Sequence, residues 1–252
     1  MTKIEQNRRF MHCPSFYEGM KLSDQASGVK PPAFGKEIVG ELIVLPSFEP
    51  IAADVPYTKL LDARRSVRSY DAEYAMTQAE LAFMLWSVNG IQRFRDDVAT
   101  FRPVPSGGAR HPFETYFVVK SVEGLKPGLY HYLPTENIGE KRVTIEFLGD
   151  MAQHEETVTE MVAGQVWVAK ASVLLLYSCI PYKAEWRYHE MSHRVQLIDL
   201  GHVGQNAMLS AVALGLGSCC LAAYNQVACD KQIGLDGLEE YTVYGVAVGK
   251  ES

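Results

Sequence analysis

From Leu200 to Cys229 the chain contains no Asp, Glu, Lys or Arg. A run this long can span a bilayer, and it leaves few kinds of fold open. Either it crosses a membrane, or it is buried among other apolar segments. Gly204, Gln205, Asn206, Gly215, Gly217 and Asn225 interrupt it, and no basic cluster flanks it as a membrane span requires. A buried helix running into a buried strand is therefore expected. Leu200, Val203, Ala207, Ala211 and Leu214 fall at helical spacing, which predicts a long helix over 194–214.

The remaining pattern mixes helices and strands without a regular βαβ repeat, so the expected class is α+β in one domain. Thr77 with Glu80 three residues later forms a capping box for a helix over "TQAELAFMLWSVNG", which Asn89-Gly90 ends. "ETYFVVKSV", "SVLLLYSCI" and "EEYTVYGVAVGK" read as strands, and "GLYHYLPTENIGEKRVTIEFLG" as a hairpin-like pair. Residues 1–55 show little periodicity and predict an irregular N-terminal arm that wraps the body or a partner subunit, leaving 56–252 as the main domain. A net charge of −6 excludes the basic face of a typical nucleic-acid binder. Five scattered cysteines (Cys13, Cys179, Cys219, Cys220 and Cys229) form no disulfide framework. The N-terminus lacks the apolar core of a signal peptide, so a soluble, cytoplasmic protein with no membrane partner is expected.

Residues 189–193, His-Glu-Met-Ser-His, match the H-E-x-x-H zinc pattern. That chemistry needs both histidines on one helical face and a third ligand at suitable spacing. His202 lies nine residues past His193, and no metzincin continuation follows. A zinc hydrolase is a remote alternative, and no metal site is assigned.

Three other segments carry more. "ARRSVRSY" places Arg64, Arg65, Ser66 and Arg68 together, donors suited to a phosphate, although a solvated basic face would look the same. Pro105, Ser106, Gly107 and Gly108 form a side-chain-poor turn through which backbone N–H groups can approach a flat or anionic ligand. "ALGLGSCCLAAYN" ends a helix in small residues that leave room for a planar ring.

In this order, with "PGLYHY" and "WRYHEMSHRVQLIDLGHVGQN", these segments resemble the nitroreductase family, and most closely its SagB-type dehydrogenase branch of azoline oxidases. The resemblance covers residues 55–250 and implies a nitroreductase-like α+β fold. In that fold a central, mostly antiparallel sheet is flanked by helices in an interwoven homodimer. It implies FMN as cofactor, with NADH or NADPH as a possible electron donor, and a peptide azoline or a small electrophile as substrate. By position, Arg64, Arg65, Ser66 and Arg68 would bind the FMN phosphate, ribityl chain and ring edge. Pro105, Ser106, Gly107 and Gly108 of the partner chain would line the isoalloxazine, and Leu221, Ala222 and Ala223 would pass near flavin N5. The zinc-like pentapeptide falls in the variable interior of the branch's Trp-x-Tyr frame, here Trp186-Arg187-Tyr188.

Arg187 and Tyr188 are thus the candidate catalytic pair. The branch commonly carries lysine where Arg187 stands, and an arginine does not give up its proton as a buried lysine can. This departure puts azoline oxidation in doubt more than flavin binding, and keeps a flavin-binding accessory or sequestering protein as the alternative. Asp199, His202 and His111 are further site candidates, each equally suited to packing. Cys219-Cys220 and Tyr130-His131-Tyr132 read as buried structure.

Overall fold

The computed structural model describes residues 1–12, 16–51 and 54–252. Cys13 lies outside them. Seven strands form one sheet in the order β1 (Glu41–Leu45), β6 (Val143–Gly149), β5 (Gly128–Tyr132), β4 (Phe113–Val119), β7 (Val173–Cys179), β9 (Tyr241–Gly249) and β8 (Gly217–Leu221). Each neighbouring pair is antiparallel. A separate small hairpin joins β2 (Arg93–Arg95) to β3 (Ala99–Phe101). The hairpin expected around residues 128–149 is the β5–β6 pair, with a register shift between Leu129 and Tyr130.

Side chains alternate across the sheet, and both faces are covered. On one face Phe117, Leu175, Tyr177, Val246 and Val248 pack with helix α4 (Gln78–Asn89) and the long helix α7 (Ser192–Ala213). On the other, Val118, Leu174, Leu176 and Ala247 pack with α5 (His154–Met161) and α8 (Gln226–Ile233). Double coverage explains why β7 is buried at every position. The uncharged run resolves into the second half of α7, then β8 and the start of α8. Leu200, Val203, Ala207 and Ala211 are buried, whereas Leu214 is half-buried. Among the described residues, no helix is long and apolar enough to cross a membrane.

Thr77 caps α4 with the reciprocal Glu80 bonds that the sequence predicts. Gly90 ends that helix without a left-handed turn: its φ is −61°. It is needed for space instead, since a Cβ there would collide with the Trp86 ring and carbonyl.

The N-terminal segment is more ordered than its sequence suggests. It contains α1 (Lys3–Met11), α2 (Phe16–Lys21) and β1, which closes one edge of the sheet. These elements were missed because α1 buries no residue and β1 has one solvent-facing side, so neither shows a long apolar pattern. The stretch between α2 and β1 lies along α6 (Tyr182–Tyr188). There Gln25 N–H donates to the Trp186 carbonyl (2.8 Å), and Trp186 Nε1 donates to the Val29 carbonyl (2.8 Å).

A buried ionic chain fastens this strap from beneath. Lys183 on α6 donates to the Phe34 carbonyl (2.9 Å) and pairs with Glu114 on β4. His131 Nε2 lies 3.3 Å from Glu114, its Nδ1 lies 2.9 Å from Glu146, and Glu146 accepts the N–H groups of Val39 and Gly40. Burial alone would raise both carboxyl pKa values, but Lys183 and His131 outweigh it at Glu114, and His131 with the two strap N–H groups outweighs it at Glu146. Both carboxyls therefore stay ionised. Burial would lower the His131 pKa, yet its two carboxylate partners raise it, so both ring nitrogens donate.

These shifts fix the pH dependence of stability. Depressed carboxyl values contribute stability above an unfolded value of about 4.5, lost as pH falls through the folded ones. The raised His131 value contributes stability below about 6.5, lost as pH rises through the folded value. The urea midpoint is expected to peak between about pH 4.5 and 6.5 and to fall on both sides. Glu114→Gln, which removes the counter-charge of buried Lys183 and leaves His131 with Glu146 alone, is expected to cost about 3–5 kcal/mol, and adding Lys183→Met to recover part of it, as read from urea denaturation.

Candidate active site

The Pro105–Gly108 turn sits over the start of α7. Asp199, buried on that helix, accepts the Ser106 hydroxyl (2.7 Å) and the Gly107 N–H (3.0 Å). Burial raises the Asp199 pKa, and the bonds from Ser106 and Gly107 oppose that rise. The Ser106 oxygen also accepts the His111 N–H at 3.0 Å, closing the turn on itself.

Arg187 and Tyr188 end α6 against this turn. Arg187 Nη1 donates to the Gly108 carbonyl at 2.6 Å, and its Nε donates to Gln25 Oε1 at 2.8 Å. Gly108 has φ +60°, and a Cβ there would lie 2.5 Å from Arg187 Cδ and 2.7 Å from the Tyr188 hydroxyl. A Cβ on Gly107 would collide with Val195 of α7. Gly108 is therefore required by contact and by conformation, and Gly107 by contact alone. Burial pushes the Tyr188 phenol up, only partly opposed by the Arg187 charge, so it keeps its proton at neutral pH. Both side chains are half-buried. The structure thus brings Arg187, Tyr188, Ser106, Gly107 and Gly108 together and adds Asp199, while Pro105 is exposed beside them.

The arginine segment lies elsewhere. Following α3 (Tyr57–Ala63), it runs beside β8, where Val67 N–H donates to the Ser218 carbonyl (3.0 Å). Gly217 allows this approach, since a Cβ would lie 2.8 Å from Val67. Gly217 therefore makes room for this neighbouring chain segment. Arg65, Ser66 and Arg68 are exposed and Arg64 is half-buried, with Nη1 3.8 Å from Met208 Sδ. None of the three arginines pairs with a carboxylate among the described residues; Arg65 and Arg68 bond only backbone carbonyls. Free guanidinium groups beside an exposed hydroxyl fit a phosphate monoester. Leu221 is buried in the core, whereas Ala222 and Ala223 are exposed beyond it.

The two groups of residues are anchored at different heights on α7, one at Asp199 and the other near Met208. Nine residues of helix separate these points by about 14 Å.

His111 faces structure: its Nε2 lies 3.1 Å from the Thr100 carbonyl, and burial with the nearby Arg102 charge lowers its pKa to about 2, leaving it neutral. His202 is exposed. His189 has φ +49° and breaks the chain between α6 and α7, so His189 and His193 do not share one helix. His193 instead lies 2.8 Å from Glu185, and among the described residues no three such ligands gather in a metal-holding group. The sequence reading missed Gln25 and Arg110. Gln25 had no signal at all, while Arg110 stands two residues after Gly108 at the glycine turn.

A model of the nitroreductase family matches residues 61–250. The nitroreductase-type protein MJ1384 of Methanocaldococcus jannaschii is 31% identical over 182 residues, covering 72% of this chain and 84% of that protein. The microcin B17-processing protein McbC of Escherichia coli is 29% identical over 141 residues, 54% of this chain and 49% of McbC, so this chain matches about half of that relative. Among solved structures, the E. coli microcin synthetase McbBCD complex with truncated pro-MccB17 superposes with a TM-score of 0.60 at 21% identity, covering 86% of this chain and 79% of that one.

Gly108→Ala is expected to cost about 1–3 kcal/mol from its left-handed backbone and the collision with Arg187. Gly28→Ala makes a control for backbone strain alone, because Gly28 also has positive φ and nothing within 4 Å of its would-be Cβ. Urea denaturation should rank Gly108→Ala as clearly the worse. Equal losses would mean that the collision contributes nothing.

Proposed function

Because this chain belongs to the nitroreductase family, we propose that it is an FMN-dependent oxidoreductase resembling the SagB-type dehydrogenases. Its substrate would be a peptide azoline or a small electrophile such as a nitroarene or quinone. The observation that carries this reading is the packing of Arg187 and Tyr188 on the side-chain-free Gly107–Gly108 turn, itself held by Asp199. Relatedness to a microcin-processing protein supports the peptide side of the substrate range.

Arg64, Arg65, Ser66 and Arg68 would hold the FMN phosphate, ribityl chain and ring edge, and Pro105–Gly108 would line the ring. The Leu221 side chain is committed to the core, so the backbone at 221–223 and the exposed Ala222 and Ala223 are what this stretch offers near N5. FMN bound there would supply the hydride-carrying centre for ping-pong transfer. Tyr188 holds the proton that the substrate gains or returns. Arg187 cannot serve as a base and instead stabilises negative charge. The separation of the two groups along α7 supports a homodimer in which one protomer's arginines face its partner's glycine turn. The exposed Leu197 and Ile198 on α7 are suited to burial between protomers. Residues 56–252 would then be the flavin domain and 1–55 an arm.

A second reading, a flavin-binding accessory protein with little turnover, is favoured by arginine at position 187. Anaerobic mixing with NADH or NADPH separates the two: prompt bleaching supports the reductase, and none with either donor or with an azoline supports the accessory role.

The purified protein is expected to be yellow, with bands near roughly 370 and 450 nm, and dimeric by light scattering. A colourless protein that ignores added FMN sinks the assignment. Tyr188→Phe and Arg187→Ala are expected to keep FMN bound while slowing a half-reaction by about 10²-fold, measured by stopped flow. Wild-type rates in both would remove the pair from the site.

A further inference from the structure

Arg187 is held in an unusual way for a half-buried cation. Its Nε and Nη1 donate to two neutral acceptors, Gln25 Oε1 and the Gly108 carbonyl, and Nη2 has no hydrogen-bond partner among the described residues. No carboxylate pairs with it among the described residues. The nearest acid of the site, Asp199, is occupied by Ser106 and Gly107. Behind it lies a second unpaired cation. Arg110 is 1% exposed and bonds only carbonyls, those of Lys183, Val98 and Pro32. Arg95, exposed on the adjacent β2–β3 hairpin, is also without an ion pair. Asp96 and Asp97 share that hairpin, so what marks this corner is the half-buried Arg187 and the buried Arg110, neither with a carboxylate partner among the described residues.

We propose that Gln25 is a positioning residue that fixes Arg187 as the receptor for a negatively charged substrate group, a carboxylate. The proposal rests on the assignment of Arg187 to the substrate side of the site. Gln25 is itself fixed: its N–H bonds Trp186, and Asp24 beside it accepts the Tyr182 hydroxyl at 2.7 Å. Its amide oxygen orients the guanidinium without neutralising it, which a glutamate in the same place would do. The Arg187 guanidinium and the Tyr188 hydroxyl both lie against Gly108, so they offer donors beside the same turn. A carboxylate matches that donor set, and a neutral amide of the same shape matches it less well.

The test uses 4-nitrobenzoate and its neutral isostere 4-nitrobenzamide, titrated calorimetrically into the purified full-length protein. Wild type is expected to bind the carboxylate about tenfold more tightly than the amide, the scale of one charge-assisted hydrogen bond. Gln25→Met keeps the length and removes the acceptor. It should weaken 4-nitrobenzoate about fivefold while the affinity for 4-nitrobenzamide stays unchanged. Gln25→Glu should abolish the preference altogether. Equal affinity of wild type for the two ligands overturns the proposal, as does a Gln25→Met variant that weakens both alike, the mark of a structural role. FMN content and bleaching by NADPH are read on the same samples. If flavin chemistry is absent and the Gln25-dependent preference persists, the flavin assignment falls and the receptor stands. If flavin chemistry is intact and no preference exists, the receptor alone falls.

Discussion

Much of this architecture hangs on one buried guanidinium. Arg110 leaves the glycine turn and enters a space lined by the rings of Trp186 (4.8 Å) and Phe34 (5.5 Å). From there it bonds the Lys183 carbonyl on α6 at 2.8 Å, the Val98 carbonyl of the β2–β3 hairpin and, at a longer 3.5 Å, the Pro32 carbonyl of the strap. α6 and the strap, both distant in sequence, and the nearby β2–β3 hairpin are thereby tied to the turn that carries Ser106–Gly108. A planar group with five fixed donors can serve several carbonyls at once, which a lysine could not do with the same geometry. Burial holds its pKa down to about 10, still far above neutrality, so the charge remains. The same residue that organises the turn therefore also places a positive charge beneath it.

The buried chain from Lys183 through Glu114 and His131 to Glu146 works alongside it. Opposite charges alternate along this chain, and its two ends grip the strap backbone at Phe34 and at Val39–Gly40. Strap, sheet and α6 are thus joined by ionic contacts under the surface, while Gln25 reaches the site from above. The position of Arg187 is consequently a property of three elements rather than of its own helix.

How much of this was legible in the sequence depended on how local each signal was. The α4 cap, the paired strands β5 and β6, buried β7 and the long α7 all follow from spacing within a few residues. The glycine turn and the Trp-x-Tyr frame were recognisable for the same reason, and the structure places them in contact. The strap was not legible, because what orders it lies about 150 residues further on and leaves no periodicity in residues 22–40. His131 and Glu146 occupy strand positions that ordinary alternation would assign to packing, and only the fold reveals that they face Glu114 and the strap. Gly217 shows the opposite case, a residue whose smallness was noticed and then found to serve Val67. A missing side chain reads clearly in a sequence; what fills its place does not.

The strap's partners have a temporal consequence. Gln25 bonds Arg187 across 162 residues, and Val29 bonds Trp186 across 157. On a ribosome adding about 5–20 residues per second, the strap emerges roughly 8–30 s before α6 exists to receive it. Until then Gln25 and Val29 have no partner on α6, and the Phe34 carbonyl lacks the Lys183 ammonium. The strap is therefore made well before α6 yet settles only after it, and the Gln25–Arg187 contact beside the glycine turn is completed only when the two meet.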